Sequence, residues 1–88
     1  MVRRELEIEN KLGLHARAAA KFVRCAARFK SMVSVARGEM KVDGKSIMGV
    51  LLLAAPRGSV LQVVVEGPDE DAAIDALADL VGGKFGEE

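Results

Sequence analysis

Alternation of apolar and polar residues predicts four strands. Residues 2–9 place Val2, Leu6 and Ile8 on one side and charged residues on the other, which is typical of a half-buried strand. Alternation returns over residues 31–36 and again over 40–42, on either side of a turn at 37–39, and predicts a hairpin. The segment SVLQVVVEG, residues 59–67, is β-branched and nearly continuously apolar, so it predicts a central strand.

Apolar residues at three-and-four spacing predict three helices. The first runs from Ala16 to about Phe29 and is rich in strong helix formers. Ser46 is predicted to cap a short second helix, IMGVLLLAA, which ends at the Pro56-Arg57-Gly58 segment. A third helix opens after residues 67–69 and closes at the glycine pair 82–83. The inward positions expected in the first and third helices are Ala19, Phe22, Val23, Ala26 and Phe29, and Ile74, Leu77, Leu80 and Val81.

The order of these elements is βαββαβα, without repeats, and predicts one α+β domain over residues 1–88. Helices on one face of a mostly antiparallel sheet fit this order better than a parallel α/β arrangement. The other face of the sheet should be relatively polar, because the first strand carries charged residues on that side.

Composition narrows the function classes. Half of the residues are hydrophobic, yet the chain has no Trp or Tyr and only three Phe, so its core should be aliphatic. Thirteen basic and thirteen acidic residues cancel, which argues against nucleic acid or anionic membranes as partners. The apolar runs are too short for membrane insertion, and the first residues lack a secretory signal. A single cysteine, Cys25, excludes an internal disulfide and favours a reducing, cytoplasmic location.

The only histidine, His15, stands in the stretch GLHARAAAKF, at the predicted start of the first helix. The backbone N–H groups of Ala16 and Arg17 lack helical partners there, and the helix dipole favours an anion such as phosphate. Arg17 adds a planar cation, and a neutral imidazole can attack a phosphoryl group. On position alone, His15 as an ordinary cap and Arg17 as a solvated side chain remain the favoured alternative. One His and one distant Cys do not make a metal site.

Two segments taken together favour the phosphoryl-acceptor interpretation of His15 over the ordinary cap. GLHARAAAKFV and GKSIMGVLLLAA, roughly thirty residues apart, resemble the two signatures of the HPr family, the histidine-containing phosphocarriers of the bacterial phosphoenolpyruvate-dependent phosphotransferase system. The resemblance covers essentially the whole chain. It implies an open-faced β-sandwich, in which four antiparallel strands are covered on one face by three helices.

The resemblance also implies roles for single residues. His15 would accept a phosphoryl group on Nδ1 from phosphorylated enzyme I and pass it to a histidine of an enzyme II A-type domain. Arg17 would contact the phosphoryl oxygens. Ser46 would match the regulatory serine that an HPr serine kinase/phosphorylase modifies in lineages that have one. Such a protein is a covalent relay without a cofactor, and it does not turn over a free substrate.

The second helix offers a surface for these partners. Helical spacing places Val50 and Leu53 toward the core and the other apolar positions outward. We interpret the outward residues as a docking patch for enzyme I and its acceptors, in a protein expected to be a monomer. The predicted docking residues are Ile47, Met48 and Leu51, with Lys21 and Arg24 of the first helix beside them.

Two positions depart from the family pattern. Ala18 stands where proline is usual, and Leu12 replaces a small polar residue. The segment around His15 is similar to forms in the nitrogen-regulatory branch, so sugar import and nitrogen regulation both stay open. A regulatory module of the same fold that acts on a kinase or transcription factor without phosphotransfer is the main alternative, and His15 with Arg17 argues against it. An RNA-binding domain is a further alternative, but it would need aromatic residues on the sheet and a basic surface. The sequence offers neither feature.

Overall fold

A computed structural model of the protein describes residues 1–87 and contains the seven predicted elements in the predicted order. The strands are β1 (Val2–Glu7), β2 (Met32–Arg37), β3 (Met40–Asp43) and β4 (Val60–Glu66), and the helices are α1 (Ala16–Ala27), α2 (Ile47–Leu52) and α3 (Glu70–Gly82). One further 3₁₀ turn, Lys84–Gly86, follows α3 and is called the terminal turn below. None of the helices within residues 1–87 has the length and apolar character required to cross a membrane.

The four strands form one sheet in the order β1-β4-β2-β3, and every neighbouring pair is antiparallel. The central position of β4 was predicted from its β-branched, nearly continuously apolar sequence and is confirmed. Val35 of β2 lies opposite Val63 of β4 on one side and Val42 of β3 on the other, which fixes the register across the sheet. The predicted fold class, an antiparallel sheet with three helices on one face, is therefore confirmed.

The core fills the space between the sheet and the helices. Phe22 of α1, Val50 of α2 and Leu77 of α3 are completely buried there, so each helix contributes to a single core. The strand side chains that face them are Leu6, Val33, Val35, Leu61, Val63 and Val65. The opposite face of the sheet is polar, as predicted, with Arg3 and Gln62 exposed on it. In α3 the predicted inward residues are buried except Leu80, which is half-buried.

Two helices end earlier than predicted because side chains from elsewhere bind the backbone beyond them. α1 was expected to reach Phe29 but ends at Ala27. The Asp69 carboxylate accepts hydrogen bonds from the N–H groups of Lys30 and Ser31, both at 2.9 Å, and so holds the segment that leads into β2. In α2, which was expected to include residue 55, Arg37 donates to the Leu53 carbonyl at 3.0 Å and thereby satisfies a helix-end acceptor.

The terminal turn was not predicted from the sequence. Lys84 and Phe85 have φ of 58° and 56°, in the left-handed region, which costs about 1–2 kcal/mol for each such residue. The Phe85 side chain is only 1% exposed, and burial of a ring of that size contributes about 1.5–3 kcal/mol. The Lys21 ammonium also donates to the Phe85 carbonyl at 2.6 Å. These contacts hold the turn against α1 in spite of its strained backbone.

Candidate functional site

His15 is held at the start of α1 by a loop that is fixed at both ends. Gly13, with φ of 69°, turns the chain, and the Asn10 side-chain amide donates to the Gly13 carbonyl at 2.7 Å. The Leu14 N–H then donates to the Ala55 carbonyl at 2.8 Å, while the Leu14 side chain is buried. The loop therefore places His15 as the N-cap of α1, as the sequence predicted.

The Nδ1 nitrogen of His15 points at the beginning of the helix. It accepts a hydrogen bond from the Arg17 backbone N–H at 3.3 Å, so it carries a lone pair and no proton in this arrangement. Ala16, the first helical residue, and Arg17 are both exposed, and the imidazole is 29% exposed. A nitrogen lone pair and the amides of a helix N-terminus thus meet at a point open to solvent.

The Nε2 nitrogen has a different neighbour. It lies 2.5 Å from Oε2 of Glu87, and because a carboxylate can only accept, Nε2 is assigned the ring proton. The other oxygen of Glu87 accepts from the Asn10 side-chain amide at 2.9 Å. Burial alone would raise the pKa of Glu87, but the hydrogen bonds from Asn10 and His15, together with the positive charge of Lys21, lower it. The carboxylate is therefore ionised when it holds the ring.

Arg17 supplies an uncommitted positive charge. Its side chain is exposed and forms no hydrogen bond or ion pair with any residue between Met1 and Glu87. The contact of this guanidinium with an anion at Nδ1 stays a prediction, based on its position two residues beyond the imidazole. Ala18, where the family usually has proline, is fully buried in the first turn, and the helix starts normally without the proline.

Ser46 caps α2, as predicted. Its hydroxyl oxygen accepts the Gly49 N–H at 3.1 Å, and the residue is half-buried. On the helix that follows, Ile47 is 47% and Met48 71% exposed, in agreement with a surface position for both.

The rest of the predicted docking patch differs from the prediction. Leu51 is half-buried and packs against the core, whereas Leu52, which was not assigned, is 63% exposed. Leu52 lies one helical turn after the exposed Met48 and therefore shares its outward face. The exposed apolar residues of α2, here called the apolar patch, are Ile47, Met48 and Leu52. The two predicted core residues, Val50 and Leu53, are buried.

The two basic docking residues have different environments. Arg24 is exposed on α1. Lys21 is half-buried, and its ammonium is engaged with the Phe85 carbonyl of the terminal turn. Lys21 therefore has a structural role that the sequence pattern did not indicate.

The described part of the chain holds no group of three or more His, Cys, Asp or Glu side chains that could bind a metal ion. Cys25 is a free thiol, buried on the inner side of α1. The chemistry of the site is thus assembled from His15, the amides at the start of α1, Arg17 and Glu87.

Glu87 is the residue at this site that sequence reasoning missed. It lies 72 positions from His15 and beyond the glycine pair at which the last helix was expected to end. No spacing rule links a carboxylate at the chain end to a loop near the chain start. The contact depends on the terminal turn, whose left-handed residues are not glycines and give no turn signal.

The chain is similar to known proteins over nearly its whole length. Residues 2–82 match the family model described as "PTS HPr component phosphorylation site". The chain is 51% identical to a phosphocarrier protein HPr of Neisseria meningitidis serogroup A, over 99% of this chain and 98% of that one. It superposes on the crystal structure of HPr-C-His from Thermoanaerobacter tengcongensis with a TM-score of 0.96 and 49% identity, covering 100% and 99% of the two chains.

A second solved structure bears on assembly. The crystal structure described as an HPr dimer from Thermoanaerobacter tengcongensis has a TM-score of 0.80 and 48% identity, covering 99% of this chain and 100% of that one.

The fold, the full-length matches and the two signature segments lead to one assignment: the chain belongs to the HPr family of phosphocarriers of the phosphotransferase system.

Proposed function

We propose that this protein carries a phosphoryl group on Nδ1 of His15, taking it from phosphorylated enzyme I and passing it to a histidine of an enzyme II A-type domain. One observation supports this assignment above the others: Nδ1 of a partly exposed imidazole accepts the Arg17 N–H at the helix N-terminus. A nucleophile and an anion-binding group therefore occupy the same point.

The transfer step needs no change of proton on His15. The Nδ1 lone pair forms a bond to phosphorus while the donor N–P bond breaks and its electron pair stays on the donor nitrogen. The proton on Nε2 remains in place. The phosphoryl oxygens then face the N–H groups of Ala16 and Arg17 and the guanidinium of Arg17, which stabilise the charge in both directions of transfer.

The exposed position suits a carrier that meets more than one partner. An incoming donor or acceptor can approach His15 directly, and the apolar patch on α2 offers a surface for docking. Arg17 and Arg24, both exposed on α1, would complement an acidic rim on enzyme I and on the acceptor domains. We expect this relay to run in the cytoplasm.

Phosphoryl uptake from enzyme I and phosphoenolpyruvate tests the proposal. The unmodified protein should become phosphorylated, and the bond should be labile in acid and stable in alkali, as expected for a phosphohistidine. His15→Ala should take up nothing while its unfolding midpoint shows that it is folded. Uptake by folded His15→Ala, or no uptake by the unmodified protein, would contradict the proposal and favour a regulatory module without phosphotransfer.

We also propose that phosphorylation of Ser46 by an HPr serine kinase/phosphorylase weakens the docking of enzyme I. Ser46 directly precedes the apolar patch, and a phosphate there adds about −1.5 to −2 charges at neutral pH. The helix N-terminus tolerates this charge, so the fold should persist. An acidic rim on enzyme I would be repelled by it.

Ser46→Asp and Ser46→Asn separate the charge from the capping role, because both residues are good N-caps and only one is charged. At low salt, uptake from enzyme I should be slower for Ser46→Asp and nearly unchanged for Ser46→Asn. Added salt should reduce the difference, since it screens the repulsion. Equal rates for the two variants at low salt would contradict the proposal.

A further inference from the structure

We propose that Glu87 is a positioning residue for His15: its carboxylate keeps the Nε2 proton on the ring, so that Nδ1 is free to accept a phosphoryl group and leaves as a neutral imidazole when it gives the group up. This inference rests on the proposed phosphoryl transfer at His15. It assigns a purpose to the terminal turn, which follows the residues matched by the family model.

The geometry favours one proton arrangement. Nδ1 accepts the Arg17 N–H and Nε2 contacts the Glu87 carboxylate, so each nitrogen has a partner of the opposite type. A second hydrogen bond, from the buried Asn10 amide, fixes the other oxygen of Glu87. The carboxylate is therefore held in place from two directions, and the ring orientation follows from it.

The terminal turn is built to deliver this carboxylate. Lys84 and Phe85 both adopt left-handed backbone angles, which a chain end without restraints would avoid. The buried Phe85 ring and the hydrogen bond from Lys21 to the Phe85 carbonyl hold the turn on α1. Glu87 follows two residues later and reaches His15. Strained backbone held by packing beside a reactive group indicates a functional role.

The proton on Nε2 matters most after phosphorylation. The phosphorylated ring with Nε2 protonated carries a positive charge, which the Glu87 carboxylate offsets at 2.5 Å. During onward transfer the Nδ1–P bond breaks and its electron pair returns to Nδ1. With Nε2 protonated the leaving group is a neutral imidazole. Without that proton it would be an imidazolate, which is a far poorer leaving group.

Glu87→Gln tests the inference, with Glu5→Gln on the polar face of the sheet as the matched control. In Glu87→Gln, the Nε2 proton of unphosphorylated protein, followed by NMR, should exchange with water about 10-fold faster, because a charge-assisted hydrogen bond has become a neutral one. Onward transfer to an A-type domain should slow by a similar factor, because the neutral imidazole leaving group depends on the Nε2 proton. Phe85→Ala, which removes the anchor and retains the carboxylate, should give the same faster exchange.

The two readouts distinguish the possible failures. The exchange measurement needs no phosphate, so it tests the Glu87 contact even if His15 proves never to be phosphorylated. Unchanged proton exchange in folded Glu87→Gln would overturn the inference. Faster exchange with an unchanged rate of onward transfer would also overturn it, because the carboxylate would then orient the ring without affecting its chemistry.

Discussion

At the scale of single residues, a variant of Arg17 tests how much its positive charge stabilises the phosphoryl group, because it leaves the nucleophile His15 unchanged. Arg17→Gln retains the backbone N–H groups at the start of α1 and removes the free guanidinium. We predict that phosphoryl uptake slows by about 10- to 100-fold, because a hydrogen bond to a charged group is worth about 1.5–3 kcal/mol. Rate measurements with enzyme I check this, with Arg3→Gln on the polar face of the sheet as the control. Equal rates for the two variants would mean that Arg17 is only a solvated side chain.

Asp69 provides a second prediction at this scale. Its carboxylate accepts hydrogen bonds from the Ser31 hydroxyl and from the Lys30 and Ser31 N–H groups, and these lower its pKa below the ordinary value of 3.8 despite partial desolvation. A lowered folded-state pKa contributes stability that is complete above the unfolded-state pKa. This contribution is lost as the pH falls through the lower folded-state value.

Asp69→Asn should therefore lower the urea midpoint at neutral pH, and the difference from the unmodified protein should shrink as the solution is acidified below about pH 4. Denaturation curves across this range check the prediction. Asp71→Asn, which removes an exposed acid from the same helical turn, is the control. If the difference in urea midpoint stays constant down to the lowest pH, the charge of Asp69 contributes nothing to the stability of the fold.

The predictability of single residues depends on how local their partners are. His15 was placed correctly as an N-cap because the capping signal lies within a few residues of it. Lys21 was predicted only as a docking residue, and Glu87 was not predicted at all, because the partners of both come from the opposite end of the chain. The strained terminal turn that joins them has no glycine at its first two positions, so its residue types did not indicate it.

At the scale of elements, the loop before α1 depends on Gly13. A Cβ there would lie 2.6 Å from the Ala55 carbonyl oxygen and 2.9 Å from Cα of Pro56, both backbone atoms. We predict that Gly13→Ala lowers the free energy of unfolding by more than the ~1–2 kcal/mol expected from its left-handed φ alone. It should also slow phosphoryl uptake. Gly38→Ala is a matched control, since φ is 61° there and nothing lies within 4 Å. Equal losses for both would contradict the predicted clash.

The ends of the elements were less predictable than their existence. The periodicity identified all three helices, because burial of one helix face repeats along the sequence. It overestimated α2, because the residues that stop the helix act from outside it: Arg37 binds the Leu53 carbonyl and the Leu14 N–H binds the Ala55 carbonyl. Within α2, the apolar patch contains Leu52, one turn after Met48, in place of the predicted Leu51.

At the scale of the whole molecule, the apolar patch bears on oligomeric state. Its three side chains cover far less than the roughly 1,200–2,000 Å² that a stable interface buries, so we predict a monomer. Light scattering coupled to size-exclusion chromatography at micromolar concentration measures this directly. A dimer like that described for the Thermoanaerobacter tengcongensis relative would contradict the prediction, and its loss in Met48→Asp would locate the interface on the patch.

The overall topology was predictable because strand alternation, helical periodicity and turn residues all favour the same βαββαβα arrangement. β4 is the strand richest in β-branched residues, and it occupies an inner position in the sheet with β1 and β2 on either side. The polar side of β1 required a sheet with one open face, and the three amphipathic helices cover the other. The site arises at the edge of this arrangement, where a loop, a helix start and the chain end meet.

The nitrogen that bonds to phosphorus tests the central claim most directly. Protein labelled with ¹⁵N in its single histidine, phosphorylated by enzyme I and phosphoenolpyruvate, can be examined by NMR for the one-bond coupling between nitrogen and phosphorus. The structure predicts that this coupling falls on Nδ1 and that Nε2 still carries its proton. Coupling to Nε2, or a phosphorylated protein without any nitrogen–phosphorus coupling at His15, would contradict it.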